Sequence, residues 1–140
     1  MSAKPVELIL LRQLARRMPM PVVLVDADGV LVYFNSALQR MLGYDGDQCP
    51  EMPLAALAGM GEPCDADDNP LPLERLPIAV ALHERRPQQA TLTVHGADGQ
   101  PHRIVTTAIP LDGQGGALLG AMSIFWEEEG EASAAGASGR

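Results

Sequence analysis

The chain has 140 residues, of which 46% are hydrophobic, 20% charged and only 4% aromatic, with a formal charge of −8; that fits one globular domain with an aliphatic core. Such acidity opposes a nucleic acid or an anionic membrane surface as partner, because phosphates are repelled. No apolar run reaches the roughly 18 residues of a membrane span, and Arg12, Arg16 and Arg17 interrupt the N-terminal apolar stretch where a signal peptide would be uncharged. A cytoplasmic location is therefore expected.

Val6 to Met18 reads as a helix with two apolar stripes, Leu8, Leu11, Ala15 and Met18 on one, Leu10 and Leu14 on the other. One stripe is expected to cover the domain's own sheet and the other to meet a second copy. Pro19 and Pro21 end the helix. Two short apolar strands then flank Asp28-Gly29, a strong hairpin signal. Asn35 caps a helix that Gly43 stops. A polar stretch from Asp45 to Glu51 leads to a short helical piece at Leu54–Ala58, and Glu62 to Pro70 is a loop by composition. Helix periodicity resumes from Leu73 to His83, with Pro77 in its first turn.

Three strands close the chain. Thr91–His95 alternates with Leu92 and Val94 on one face, Arg103–Ile109 follows the Asp98-Gly99 turn, and Ala117–Trp126 follows Gly113, Gly115 and Gly116. The last strand is apolar on both faces, as expected where both faces are covered. Short turns make these three strands antiparallel neighbours, and the helical excursion must return across one face of the sheet to bury its apolar side. Residues 128–140, rich in Ala, Gly, Ser and Glu, read as a disordered tail.

This order of elements, together with Asp26-Ala27-Asp28-Gly29, Asn35-x-Ala37 and Leu42-Gly43-Tyr44, resembles the PAS family from about Met20 to Glu127. Asp67-Asp68-Asn69-Pro70-Leu71-Pro72 and Leu76-Pro77-x-x-x-Ala81-Leu82 resemble motifs of its bacterial members. Asn69 stands where Gly is usual, and Trp126-Glu127-Glu128-Glu129 replaces the Asp-Ile/Val-Thr ending of many members. The resemblance implies an α+β fold: a five-stranded antiparallel sheet with short helices over one face. Residues 1–19 would form an N-terminal capping helix, 20–127 the PAS domain and 128–140 the tail. It also implies a sensory or interaction module of signal transduction rather than an enzyme. With no kinase, cyclase or DNA-binding sequence attached, a signal is expected to leave through a protein contact.

In PAS domains a ligand sits between the inner sheet face and the helices. Met41, Leu54, Leu57, Leu76, Val80, Leu92, Ile104, Thr106, Met122 and Ile124 are expected to face that space. They would wall a cavity for a small apolar ligand or fill a core, and apolar periodicity does not distinguish the two. A homodimer is the second expectation, through Leu8, Leu11, Leu14, Ala15 and Met18 with Val105, Ile109 and Phe125 of the outer sheet face, whose apolar surface needs cover. A signalling protein is the other partner considered. An enzyme-like or carrier domain binding an apolar metabolite is the rival reading.

The sequence names no cofactor. Haem is disfavoured: His83 ends its helix in a charged segment and His95 and His102 flank a turn, whereas an iron ligand must project into an apolar pocket. Flavin photochemistry of the LOV type is disfavoured because neither Cys49-Pro50 nor Cys64-Asp65 resembles the Asn-Cys-Arg-Phe-Leu-Gln motif it requires. The two cysteines have no metal or redox spacing, and no disulfide is expected between them in a reducing compartment. Asp65, Asp67, Asp68 and Asn69 lack the Gly and Glu positions of a calcium loop and read as a solvated turn. No motif of catalysis or phosphate binding can be picked out.

Overall fold

The computed structural model describes residues 6–43 and 52–128; Tyr44, the polar stretch at 45–51 with Cys49, and residues 129–140 of the tail expected at 128–140 lie outside them. Helix α1 (Val6–Arg17) carries Glu7 in its first turn and Arg16 and Arg17 in its last, as the helix dipole favours. Strands β1 (Val22–Asp26) and β2 (Leu31–Phe34) form the expected hairpin. Its turn is held by Asp26 Oδ1, which accepts from the N–H groups of Asp28 and Val30 at 2.9 and 3.0 Å. Gly29 sits there at φ +79°, where a residue without Cβ costs least.

Helix α2 (Ser36–Leu42) begins at Asn35, whose Oδ1 accepts from Leu38 N–H at 3.1 Å, and ends at Gly43 in the left-handed region. Helix α3 (Leu54–Gly61) runs one turn beyond the expected piece. The helix expected from Leu73 is shorter. Leu73–Arg75 make a single 3-10 turn and α4 (Pro77–Glu84) starts only at the proline, because Leu76 before it is held extended at ψ 141°. Strands β3 (Gln88–His95), β4 (Pro101–Asp112) and β5 (Leu118–Glu127) follow, the first two longer than expected and β5 shifted by one residue from Ala117–Trp126.

The five strands are antiparallel in the order β2-β1-β5-β4-β3, so the last strand in sequence lies at the centre. Helices α2, α3 and α4 cover the inner face over a core that includes Val25, Leu31, Leu92 and Ile104. Helix α1 covers the outer face, where Leu8 and Ala15 are buried with Val22, Leu24 and Met122. Full burial of a side chain such as Leu8 is worth about 2–3 kcal/mol. Arg12 adds a cation–π contact, 5.4 Å above the Tyr33 ring. Loops blunt both sheet edges. Cys64 exchanges two backbone bonds with Thr93 on β3, while Leu31 and Gly29 bond Met52 and Leu54 beside β2. No helix among the described residues is long and apolar enough to cross a membrane.

Candidate functional site

Between the inner sheet face and the three helices lies an apolar cavity of about 90 Å³. Helix α2 supplies Leu38 and Met41, α3 supplies Leu54, Leu57 and Ala58, and the approach to α4 supplies Leu76. The sheet supplies Leu92, Val94, Ile104, Thr106, Ser123 and Phe125. Of the residues expected to face this space, Met41, Leu54, Leu57, Leu76, Leu92, Ile104 and Thr106 are brought together. Val80 is buried in α4 but is not part of the wall.

Met122 and Ile124 are a correction: both lie on the outer face with the α1 core, and Ser123 and Phe125 face the cavity instead. The pairing with β4 decides this, since Thr106 stands opposite Phe125 and Thr107 opposite Ile124. A strand apolar on both faces carries no alternation from which the facing residues can be read. Ser123, the one polar residue in an apolar run, and Val94, on the same face as Leu92, were the available signals.

The expected dimer surface divides in the same way. Leu8 and Ala15 are fully buried against the chain's own sheet, and Leu11, Met18 and Ile109 pack beside them. Helical spacing turns one stripe inward and the other out. Phe125, on the inner face, is likewise removed from that surface. Leu14 is 54% exposed and Leu10 58%, with Val6 and Ile9 also open to solvent. Val105 is half-buried on the outer face, opposite the exposed Trp126.

Asn35 is 1% exposed and joins the two faces of the sheet. Its Nδ2 donates to the carbonyls of Ala15, Met18 and Met20 at 3.1, 3.3 and 2.9 Å. Its Oδ1 accepts from Val22 N–H as well as from Leu38 N–H, each at 3.1 Å. The residue that caps α2 is thus bonded to the C-terminal end of α1. Thr106 stands in contrast: among the described residues, its Oγ1 is the buried side-chain oxygen with no hydrogen-bond partner.

The remaining candidates lie away from the cavity wall. His83 is exposed, His95 approaches the carbonyl of Glu62 at 3.1 Å, and His102 Nδ1 lies 2.7 Å from Glu127 Oε2. The last two are half-buried, more than their place beside a turn foretold. Cys64 Sγ donates to the Glu62 carbonyl from the loop against β3. Asp65 organises the acidic turn, its Oδ1 accepting from the N–H groups of Asp67 and Asn69 at 2.8 and 3.0 Å. The bond from Asn69 above all holds that carboxyl below its usual range.

A family model described as the PAS fold matches residues 15–127. The PAS domain of BvgS from Bordetella pertussis is 17% identical, over 95% of each chain, with a TM-score of 0.64. The LOV protein of Rhodobacter sphaeroides is 21% identical over 95% of this chain and 73% of its own, with a TM-score of 0.69. The PAS domain of the fruit-fly ELK potassium channel is 12% identical over 86% of this chain and 95% of its own, with a TM-score of 0.66. At these identities the likeness carries the fold alone. No curated protein matches the chain.

Proposed function

The chain belongs to the PAS family, whose model spans residues 15–127, and we propose that it is a signal-transduction module that relays occupancy of its inner cavity to a homodimer contact on α1. The observation that carries this reading is the bonding of Asn35. One amide caps α2, which lends Leu38 and Met41 to the cavity wall, and also bonds the end of α1. A molecule that displaces α2 therefore pulls on a group tied to the opposite face of the sheet. Its effect is bounded by its differential affinity for the two arrangements.

A second copy seats on the outward stripe of Val6, Ile9, Leu10 and Leu14, whose exposed apolar surface favours association. A signalling protein with a matching apolar surface is the other occupant such a stripe accepts. A cytoplasmic place of work is part of the same proposal.

Sedimentation velocity tests it. Wild type is expected as a dimer, and Leu10→Glu combined with Leu14→Glu as a folded monomer; a monomeric wild type overturns the dimer. Ala58→Leu, which fills part of the cavity from α3, is expected to change the dimer Kd by about fivefold or more, the lower end of ordinary coupling between sites. A dimer whose Kd ignores that substitution overturns the relay.

A further inference from the structure

From the polar groups on the cavity wall we infer that its ligand is a small neutral alcohol or ketone, held by one hydrogen bond to Thr106. This rests on the proposal above that the cavity takes a ligand. Thr106 is 2% exposed, lies on the cavity wall, and has an Oγ1 with no partner among the described residues. A buried hydroxyl left unbonded is costly, so a group that satisfies it is favoured. Ser123 is also buried on this wall, opposite Ala108 and so diagonal to Thr106 across β4 and β5. Among the described residues, these two hydroxyls form a polar corner in a wall otherwise built from aliphatic, methionine, proline and phenylalanine side chains.

Three physical limits define the molecule. A buried water makes about three hydrogen bonds, more than one such corner offers from its side chains, so a larger molecule with an apolar body competes well for the place. Among the described residues no charged side chain lines the cavity, and a carboxylate or ammonium buried there without a partner is strongly penalised. The volume of about 90 Å³ is below the ~150 Å³ of a dry cavity that admits benzene. The part of the ligand held inside is therefore a few heavy atoms long, with adjustment of the flexible Met41 as the room for more. A hydroxyl serves as donor and acceptor, so both an alcohol and a carbonyl satisfy Thr106.

Methyl NMR of the full chain tests this with xenon, 1-butanol and butyrate as probes. Xenon enters any dry apolar cavity of sufficient size and reports the cavity independently of the head group. In wild type, xenon and 1-butanol are expected to shift the methyls of Leu54, Leu92 and Ile104, and butyrate at the same concentration is not. Thr106→Val, which keeps the shape without the hydroxyl, is expected to weaken 1-butanol about 3- to 10-fold and leave xenon unchanged. Thr106→Ser is expected to retain the alcohol.

If xenon and 1-butanol bind Thr106→Val as they bind wild type, the role of Thr106 is overturned while the cavity stands. If neither enters wild type, the ligand cavity falls and this inference with it. Uptake of butyrate by wild type as readily as 1-butanol overturns the neutral class without recourse to any variant.

Discussion

The side-chain amide of Asn35 donates to three carbonyls and accepts from two N–H groups, all within a site closed to water. Asn35→Ala removes these five bonds, with Leu38 N–H and the Ala15 carbonyl keeping only a backbone partner, and a loss of about 3–5 kcal/mol in urea denaturation is expected. Asn35→Asp separates the two halves of its role. It keeps the acceptor for Leu38 but points a carboxylate at three carbonyl oxygens in a buried site, which raises the pKa of that carboxyl in the folded state. A raised carboxyl pKa destabilises the fold above that pKa and ceases to do so below the unfolded value. The deficit against wild type is therefore expected to shrink as pH falls from about 8 to about 5, measured as the urea midpoint of each protein; a constant deficit speaks against the bonding described. The capping role was legible from Asn35 standing ahead of a helix. Its bonds to Ala15, Met18 and Met20 were not, because no local pattern marks carbonyls that far away.

At the scale of elements, β5 joins the two halves of the sheet by threading between β1 and β4. Its pairing with β4 shifts near Asp112, which stands opposite Leu118 while Leu111 stands opposite Gly120. The extra residue changes which side chains face inward along the strand. Gly120 makes this possible: a Cβ there would fall on the carbonyl oxygen of Val25 in the neighbouring strand, where backbone cannot yield. Gly120→Ala is expected to cost about 3 kcal/mol or more and to lower the Tm on the order of 10 °C. A melting curve like that of wild type would show that the strands close in another way. In α1 the two stripes were readable from spacing alone, whereas which one faces the sheet was fixed by the contacts of Leu8 and Ala15.

At the scale of the whole molecule, the sheet is a middle layer with a core on each face, and among the described helices α1 alone covers the outer one. Removing residues 1–17 would uncover Val22, Leu24 and Met122, each now fully or almost fully buried. The truncated chain is expected to aggregate or to melt well below the full chain, by light scattering during a thermal ramp. Equal stability would mean that α1 is an ornament of the fold rather than part of its core. That outcome would also remove the physical link between α1 and the cavity.

The sequence by itself determined what neighbouring residues settle between them. The Asp28-Gly29 hairpin, the helix between Asn35 and Gly43, and the antiparallel run of the last three strands all rest on turn chemistry and periodicity over a few residues. Tertiary structure alone decided that β5 sits at the centre, that Phe125 faces in and Met122 out, and that an opening remains beside Thr106. The reason is that strand side chains alternate with a period of two. A long-range pairing displaced by one residue therefore exchanges the faces, and a run apolar on both sides records no preference. Whether apolar walls meet or leave space is fixed by how α2, α3 and α4 come to rest on the sheet, a sum of distant contacts that no single segment encodes.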